Sequence, residues 1–305
     1  MTEFEEFKLH IGDYGKELDL RFSIDDIEYT SENIVSLNPH YEGALYSSVM
    51  RQLDLELLGE YDFKGKMVKG IKFGVSAGNK YAYINKDDYI VKECEYDVAN
   101  NTTKCECYDD MLSSMVPYDI SPVYPITLGE LLQAICDRFS WTLGTTEFVN
   151  SAAELESEKF DSTYTFRDVL DQIAQAAAGI IAFKDKTLCV IYPQDSGEII
   201  DESNLKSLTI GEKYGPVNSL VLARTPQEDN IYRQDGESVE ANGLTEVKIE
   251  NNQIIDDNRE AFIDNIFNQI NGTEFYLYEL ESFGIGYLDL GDIFTLQRED
   301  GTEYQ

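Results

Sequence analysis

Residues 74–78 read Gly-Val-Ser-Ala-Gly. This is the G-x-S-x-G spacing that, in serine hydrolases, holds a nucleophile on a sharp turn between a strand and a helix. The chemistry would be acyl transfer, with Ser76 as nucleophile, a histidine as its base and an acid to orient the histidine. The two histidines, His10 and His40, both precede Ser76, whereas the partners of this motif follow it in the chain. The residues after it, NKYAYINKDDYIV, are rich in Tyr and Ile and carry no helical stripe. Ser76 is therefore expected in the turn of a Gly-rich hairpin, with Gly74 and Gly78 supplying the flexibility.

The five cysteines are the next reactive groups. Cys94, Cys105 and Cys107 fall in C-x10-C-x-C spacing, while Cys136 and Cys189 stand apart. Structural zinc takes four ligands, usually in close pairs, and no CxxC or nearby histidine completes such a set. The count is odd, and a reducing cytoplasm disfavours disulfides. Cys94, Cys105 and Cys107 are expected as small, reduced strand residues.

Other motifs are absent. There is no HExxH, no phosphate-binding G-x-x-x-x-G-K-[ST], no dinucleotide fingerprint and no calcium loop. The glycines of GIGYLDLGD (284–292) read as turns. Two carboxylates about 5 to 10 Å apart would suffice for glycoside hydrolysis, but with 58 acidic residues no pair stands out from a solvated surface. The sequence assigns no catalytic residue, cofactor or metal ligand, and no enzyme activity is expected.

Charge excludes more than it assigns. Against 58 acids stand 24 lysines and arginines, a formal net charge of −34. Such a chain repels nucleic-acid phosphates and anionic membranes. The plain reading is solubility, and the sharper one is a surface past which DNA slides without sticking. No stretch approaches the roughly 20 apolar residues of a membrane span. The acidic start MTEFEEFKLH lacks the apolar core of a signal peptide, so synthesis in the cytoplasm is expected.

The elements that would position these residues are mostly strands. In RQLDLELL (51–58), Leu53, Leu55 and Leu57 share one face while Asp54 and Glu56 take the other, the period-two pattern of a half-buried antiparallel strand. DYIVKECEY and TTKCECYD flank Asn100-Asn101, a hairpin. After Pro125 the period changes. Leu128, Leu131, Leu132, Ile135 and Phe139 form one helical stripe, and Phe166, Val169, Leu170, Ile173 and Ala177 form another. Thr127/Glu130 and Thr165/Asp168 are capping boxes, and Gly179 suits the position after the second helix. A hairpin follows at 179–192. A third helix is expected over 256–272, capped by Asp257 and ended by Gly272. Asp300-Gly301 reads as a turn, and Gln305 falls inside the returning strand, so the natural protein is expected to continue.

Several stretches together resemble tail proteins of bacteriophages of Gram-positive hosts. They are SSVMRQLDLELLG (47–59), the segment 70–111 with Tyr89-Ile90-Val91 and Tyr108-Asp109-x-Met111, and the helix-hairpin unit 164–191. A fourth is NSLVLARTPQEDNIY (218–232), succeeded by GLTEVKI, IIDDNREAFIDNIFNQI and GYLDLGDIF. The resemblance is to the tail-tip or baseplate hub. It implies an α+β, β-rich fold with two barrel-like antiparallel domains and a small α/β insertion. The segments would be 1–122 for the first barrel, 123–200 for the insertion, 201–235 for strands returning to the first barrel, and 236–305 for an incomplete second barrel. It further implies a homotrimeric ring in the virion tail that meets distal tail or tail-tube proteins, anchors a downstream fibre or lysin, and lets DNA pass without specific binding. A carbohydrate-binding adsorption module and a cell-wall hydrolase are the alternatives.

Overall fold

Alternation of apolar and polar residues organises the first third of the chain. The computed structural model describes residues 1–11, 16–42, 44–202, 205–223, 230–256, 258–282 and 287–304. A short helix α1 (Glu3–His10) is followed by β1 (Leu18–Ile24), β2 (Ile27–Thr30), β3 (Ile34–Glu42), β4 (Met50–Leu58), β5 (Met67–Ala77), β6 (Lys80–Asn85), β7 (Tyr89–Asp97) and β8 (Thr102–Tyr108). These eight strands form one antiparallel sheet in the order β2-β1-β5-β7-β8-β4-β3, with β6 beside β5. On β4, Arg51, Leu53, Leu55 and Leu57 are all buried, while Asp54 is exposed. Tyr29 from one end of the sheet and Leu37 from the other share the same core, so the sheet curls. It does not close. The strand path ends at β2 and β3, which do not pair with each other.

Helical periodicity organises the next segment, which continues with β9 (Ile126–Thr127), α2 (Leu128–Phe139), β10 (Thr142–Leu143), β11 (Glu154–Leu155), α3 (Phe166–Ala176), β12 (Ile180–Lys184) and β13 (Thr187–Ile191). Both capping boxes form, at Thr127 with Glu130 and at Thr165 with Asp168. Ala178, not Gly179, takes the left-handed conformation after α3. Gly179 is small for another reason: a Cβ there would lie 2.8 Å from Val190.

The rest comprises β14 (Gln194–Asp201), β15 (Leu205–Tyr214), β16 (Ser219–Ala223), β17 (Ile231–Gln234), α4 (Gly236–Asn242), β18 (Glu246–Glu250), α5 (Arg259–Ile270), β19 (Phe275–Ser282), β20 (Asp292–Gln297) and β21 (Glu303–Tyr304). Every residue of β16 is buried. β17 and β18 pair with its two edges, β18 in parallel, and α5 packs against it. β15 pairs with β19, and β14 runs parallel to β20. The buried apolar residues of α2, α3 and α5, with Leu220 and Leu222 of β16, belong to one hydrophobic cluster. Asn252 strengthens this contact by donating to the Gln172 carbonyl of α3 at 2.9 Å. The N-cap position of α5 is Asn258, whose side chain makes no capping bond; Asp257 lies outside the described residues, as do residues 284–286 of the expected glycine turn and Gln305.

The β-rich α+β expectation holds, but closed barrels do not form among the described residues. The first sheet ends at β2, which is only four residues long. The later strands β18, β19 and β20 pair with β16, β15 and β14 in three separate small sheets rather than with one another. The cysteine expectation also needs correction. Cys94 and Cys105 sit opposite each other on β7 and β8 and form a disulfide. Cys107 and Cys136 are buried free thiols, and Cys189 is partly buried.

Gly74 is not a turn residue. It lies within β5, where a Cβ would come within 2.4 Å of the Tyr83 ring; the turn is made by Gly78, with φ of +67°. Gly74→Ala is expected to destabilise the chain by about 1–3 kcal/mol through overpacking, read by urea denaturation. Ser76→Ala should stay within about 1 kcal/mol, the typical worth of one hydrogen bond.

Candidate functional site

The hydrolase motif is resolved by its surroundings. Ser76 sits in β5 opposite Tyr81 of β6, one residue before the strand ends and not in the turn. Its Oγ accepts the backbone N–H of Glu17 at 2.9 Å. Strand–turn–strand is the wrong frame for a nucleophile elbow, which needs a helix after the serine. His40 lies on β3, exposed, with Nδ1 3.9 Å from Asp54.

The structure concentrates its buried charge elsewhere, around Arg51. Period two places Arg51 on the leucine face of β4, and its side chain is only 6% exposed. A buried guanidinium must find partners. Arg51 donates to Asp87, in the loop between β6 and β7, and to Asp289, before β20, at 2.8 Å. Its guanidinium also lies over the Tyr41 ring, 5.4 Å from the centroid, and Tyr41 donates its hydroxyl to Asp289. The Arg51 Nε has no hydrogen-bond partner among the described residues. Burial raises the Asp87 carboxyl above its ordinary pKa even though Arg51 opposes the shift.

Backbone bonds lock the same segment. Asp109 Oδ2 accepts the Arg51 N–H at 3.2 Å, and the Asp109 N–H donates to the Arg51 carbonyl at 3.0 Å. Asp109 Oδ1 also caps the 3-10 turn at Asp110–Met115 by accepting the Met111 N–H. The Tyr108-Asp109-x-Met111 pattern thus closes the end of β8 and buries Met111 completely. Burial pushes the Asp109 carboxyl up to about 7, against the downward pull of the Arg51 and Met111 N–H groups and the Arg51 charge.

The lead-in to β4 joins the α/β segment. Val49 N–H donates to the Ile181 carbonyl at 2.7 Å, and Ile181 N–H donates to the Ser47 carbonyl at 3.1 Å. Ser48 donates from its N–H and hydroxyl to Asp171 of α3, at 2.7 and 2.5 Å. Arg167 returns a bond to the Ser48 carbonyl. At the rim, Lys186 donates to Asp88 at 2.7 Å, and Lys184 lies 4.0 Å from Asp289. Five residues, 47–51, therefore tie together the first sheet, the α/β segment and the chain before β20. The charges named here each have a fixed partner, an arrangement suited to holding parts in register. Sequence reasoning passed over Arg51, Asp87 and Asp289, although the alternation that exposed Leu53, Leu55 and Leu57 extends one step back to Arg51.

No family model and no curated protein matches the sequence. Solved structures do match. A prophage tail protein, gp18, from Listeria monocytogenes has TM-score 0.55 and 12% identity, over 94% of this chain and 87% of that one. A tail protein from Neisseria meningitidis has TM-score 0.59 and 11% identity, over 95% and 89%. The chain has the fold of these tail proteins. A 43 kDa tail protein of prophage MuSo2 from Shewanella oneidensis matches with TM-score 0.53 and 11% identity, over 95% and 90%. Three such different hosts make the likeness a general one, not one confined to Gram-positive hosts.

Two outcomes test the joint. Arg51→Met leaves two half-buried carboxylates without their cation and is expected to cost about 3–5 kcal/mol in urea unfolding at pH 7. The Asp109 carboxyl holds its proton to higher pH folded than unfolded. Its contribution is therefore full below its unfolded pKa of about 4 and is lost as pH rises through about 7. Asp109→Asn keeps one of the two acceptor oxygens and removes the titration, so its stability relative to the unaltered chain should rise by on the order of 2–4 kcal/mol between about pH 3 and pH 8.

Proposed function

We propose that the chain is a structural hub at the distal end of a phage or phage-like tail. The observation that carries this reading is the fold likeness to three tail proteins across nearly the whole chain. In this reading three copies form a ring that meets the hexameric tail on one side and the threefold tip on the other. Regions 1–122 with 201–235, and 236–305, supply the repeated units, and 123–200 is the insertion. The ring contacts distal tail or tail-tube proteins and anchors a downstream fibre or lysin.

Two features fit assembly work. The open ladders of β2 and β3 are edges available for pairing with another chain. The solvent face of the first sheet carries like charges side by side: Glu106 is opposite both Asp54 and Glu93, an arrangement that costs an isolated sheet stability. Turned toward a bore, that face would repel passing DNA.

The reading is tested by the mass of the purified chain in solution, with electron microscopy of the particles. Three times 34.7 kDa and a threefold ring are expected. A stable monomer at high concentration, with no ring, would count against the hub.

A further inference from the structure

The open end of the curled sheet surrounds a cavity of about 810 Å³, within the size range of small-molecule sites. Its walls are apolar: Leu20 of β1, Phe73 of β5 and Ile84 of β6, with Phe7 of α1 closing one side. The polar groups have an unexpected sign. In a chain with 58 acids and 24 bases, Lys16, Arg51, Lys86 and Lys206 line this cavity, and none of the described lining residues is acidic.

Arg51 is already committed to Asp87 and Asp289. Lys86 is different. It lines this cavity and the neighbouring one that also contains Asp87 and Asp289. Among the described residues no carboxylate comes within ion-pair distance of its ammonium. Burial pulls its pKa below the ordinary lysine value, with Asp289 and Asp87 only partly opposing this. A half-buried ammonium beside apolar walls is stabilised by an anion that brings its own apolar body.

The geometry points to a binding site for a small amphiphile with a single anionic head, the simplest being a medium-chain carboxylate. Its tail lies against Leu20, Phe73 and Ile84, and its head on Lys86. This inference is independent of the tail-hub reading.

Calorimetric titration of the full chain with decanoate, decanol and acetate tests it. Saturable binding of one decanoate per chain is expected, with decanol at least tenfold weaker and acetate undetectable. Lys86→Met should weaken decanoate at least tenfold while leaving decanol within twofold, and Lys86→Arg should retain decanoate within threefold. Decanoate should also raise the melting temperature of the unaltered chain where decanol does not, a comparison that needs no variant. Absence of saturable decanoate binding would overturn the proposal. So would equal affinity for decanoate and decanol, or unchanged decanoate affinity in a folded Lys86→Met chain.

Discussion

A guanidinium on the leucine face of a strand is the constraint on which this structure rests. Arg51 is almost wholly withdrawn from solvent there, so its charge must be met inside the protein. The two carboxylates that meet it come from residue 87 and residue 289, distant in sequence from it and from each other. Satisfying one buried cation therefore brings the loop before β7 and the chain before β20 to the same place. The backbone around Arg51 extends the effect, because Ser47 to Val49 align with Ile181 and Ser48 is held by α3. A buried ion cluster adds little net stability compared with a well-packed apolar one, but it penalises any arrangement in which a partner is missing. It acts here on the relative placement of three parts of the chain.

The charge distribution follows the same division. Glu106 stands opposite Asp54 and Glu93 on the solvent face of the first sheet, whereas Lys16, Arg51, Lys86 and Lys206 line the cavity at its end. The net charge of −34 thus hides a polarity between an acidic exterior and a basic recess. Self-repulsion on the exterior favours solubility and resists nucleic acid. The proposed anionic head would sit in that recess, on Lys86.

What was legible in the sequence was local. Period-two alternation found β4, period 3.6 found the stripes of α2 and α3, and Thr127 and Thr165 marked their starts, because each of these depends on neighbours within one or two turns. Partner choice between strands is a long-range property and was not legible. The barrel expectation failed because nothing in the alternation of β18, β19 or β20 says whether they pair with one another or with β16, β15 and β14. Ser76 and Gly74 misled for the related reason that small residues suit both a turn and a crowded strand. Gly74 is small because Tyr83 of β6 lies across it. The Cys94–Cys105 pair became visible only once β7 and β8 were in register. Arg51 could have been found, since the leucine alternation passes through it, and a buried arginine in such a pattern demands carboxylates that composition alone cannot choose among 58.

The most direct test of the joint is residue-resolved hydrogen exchange in the unaltered chain and in Arg51→Met. Three amides report on two seams: Val49 and Ile181, bonded between the lead-in to β4 and β12, and Gln194, bonded to the Gly291 carbonyl near Asp289. If Arg51 ties the three parts together, all three amides lose protection in the variant by a similar factor, while amides in the middle of α2 do not. Loss of protection confined to β4, with Ile181 and Gln194 unchanged, would contradict the account.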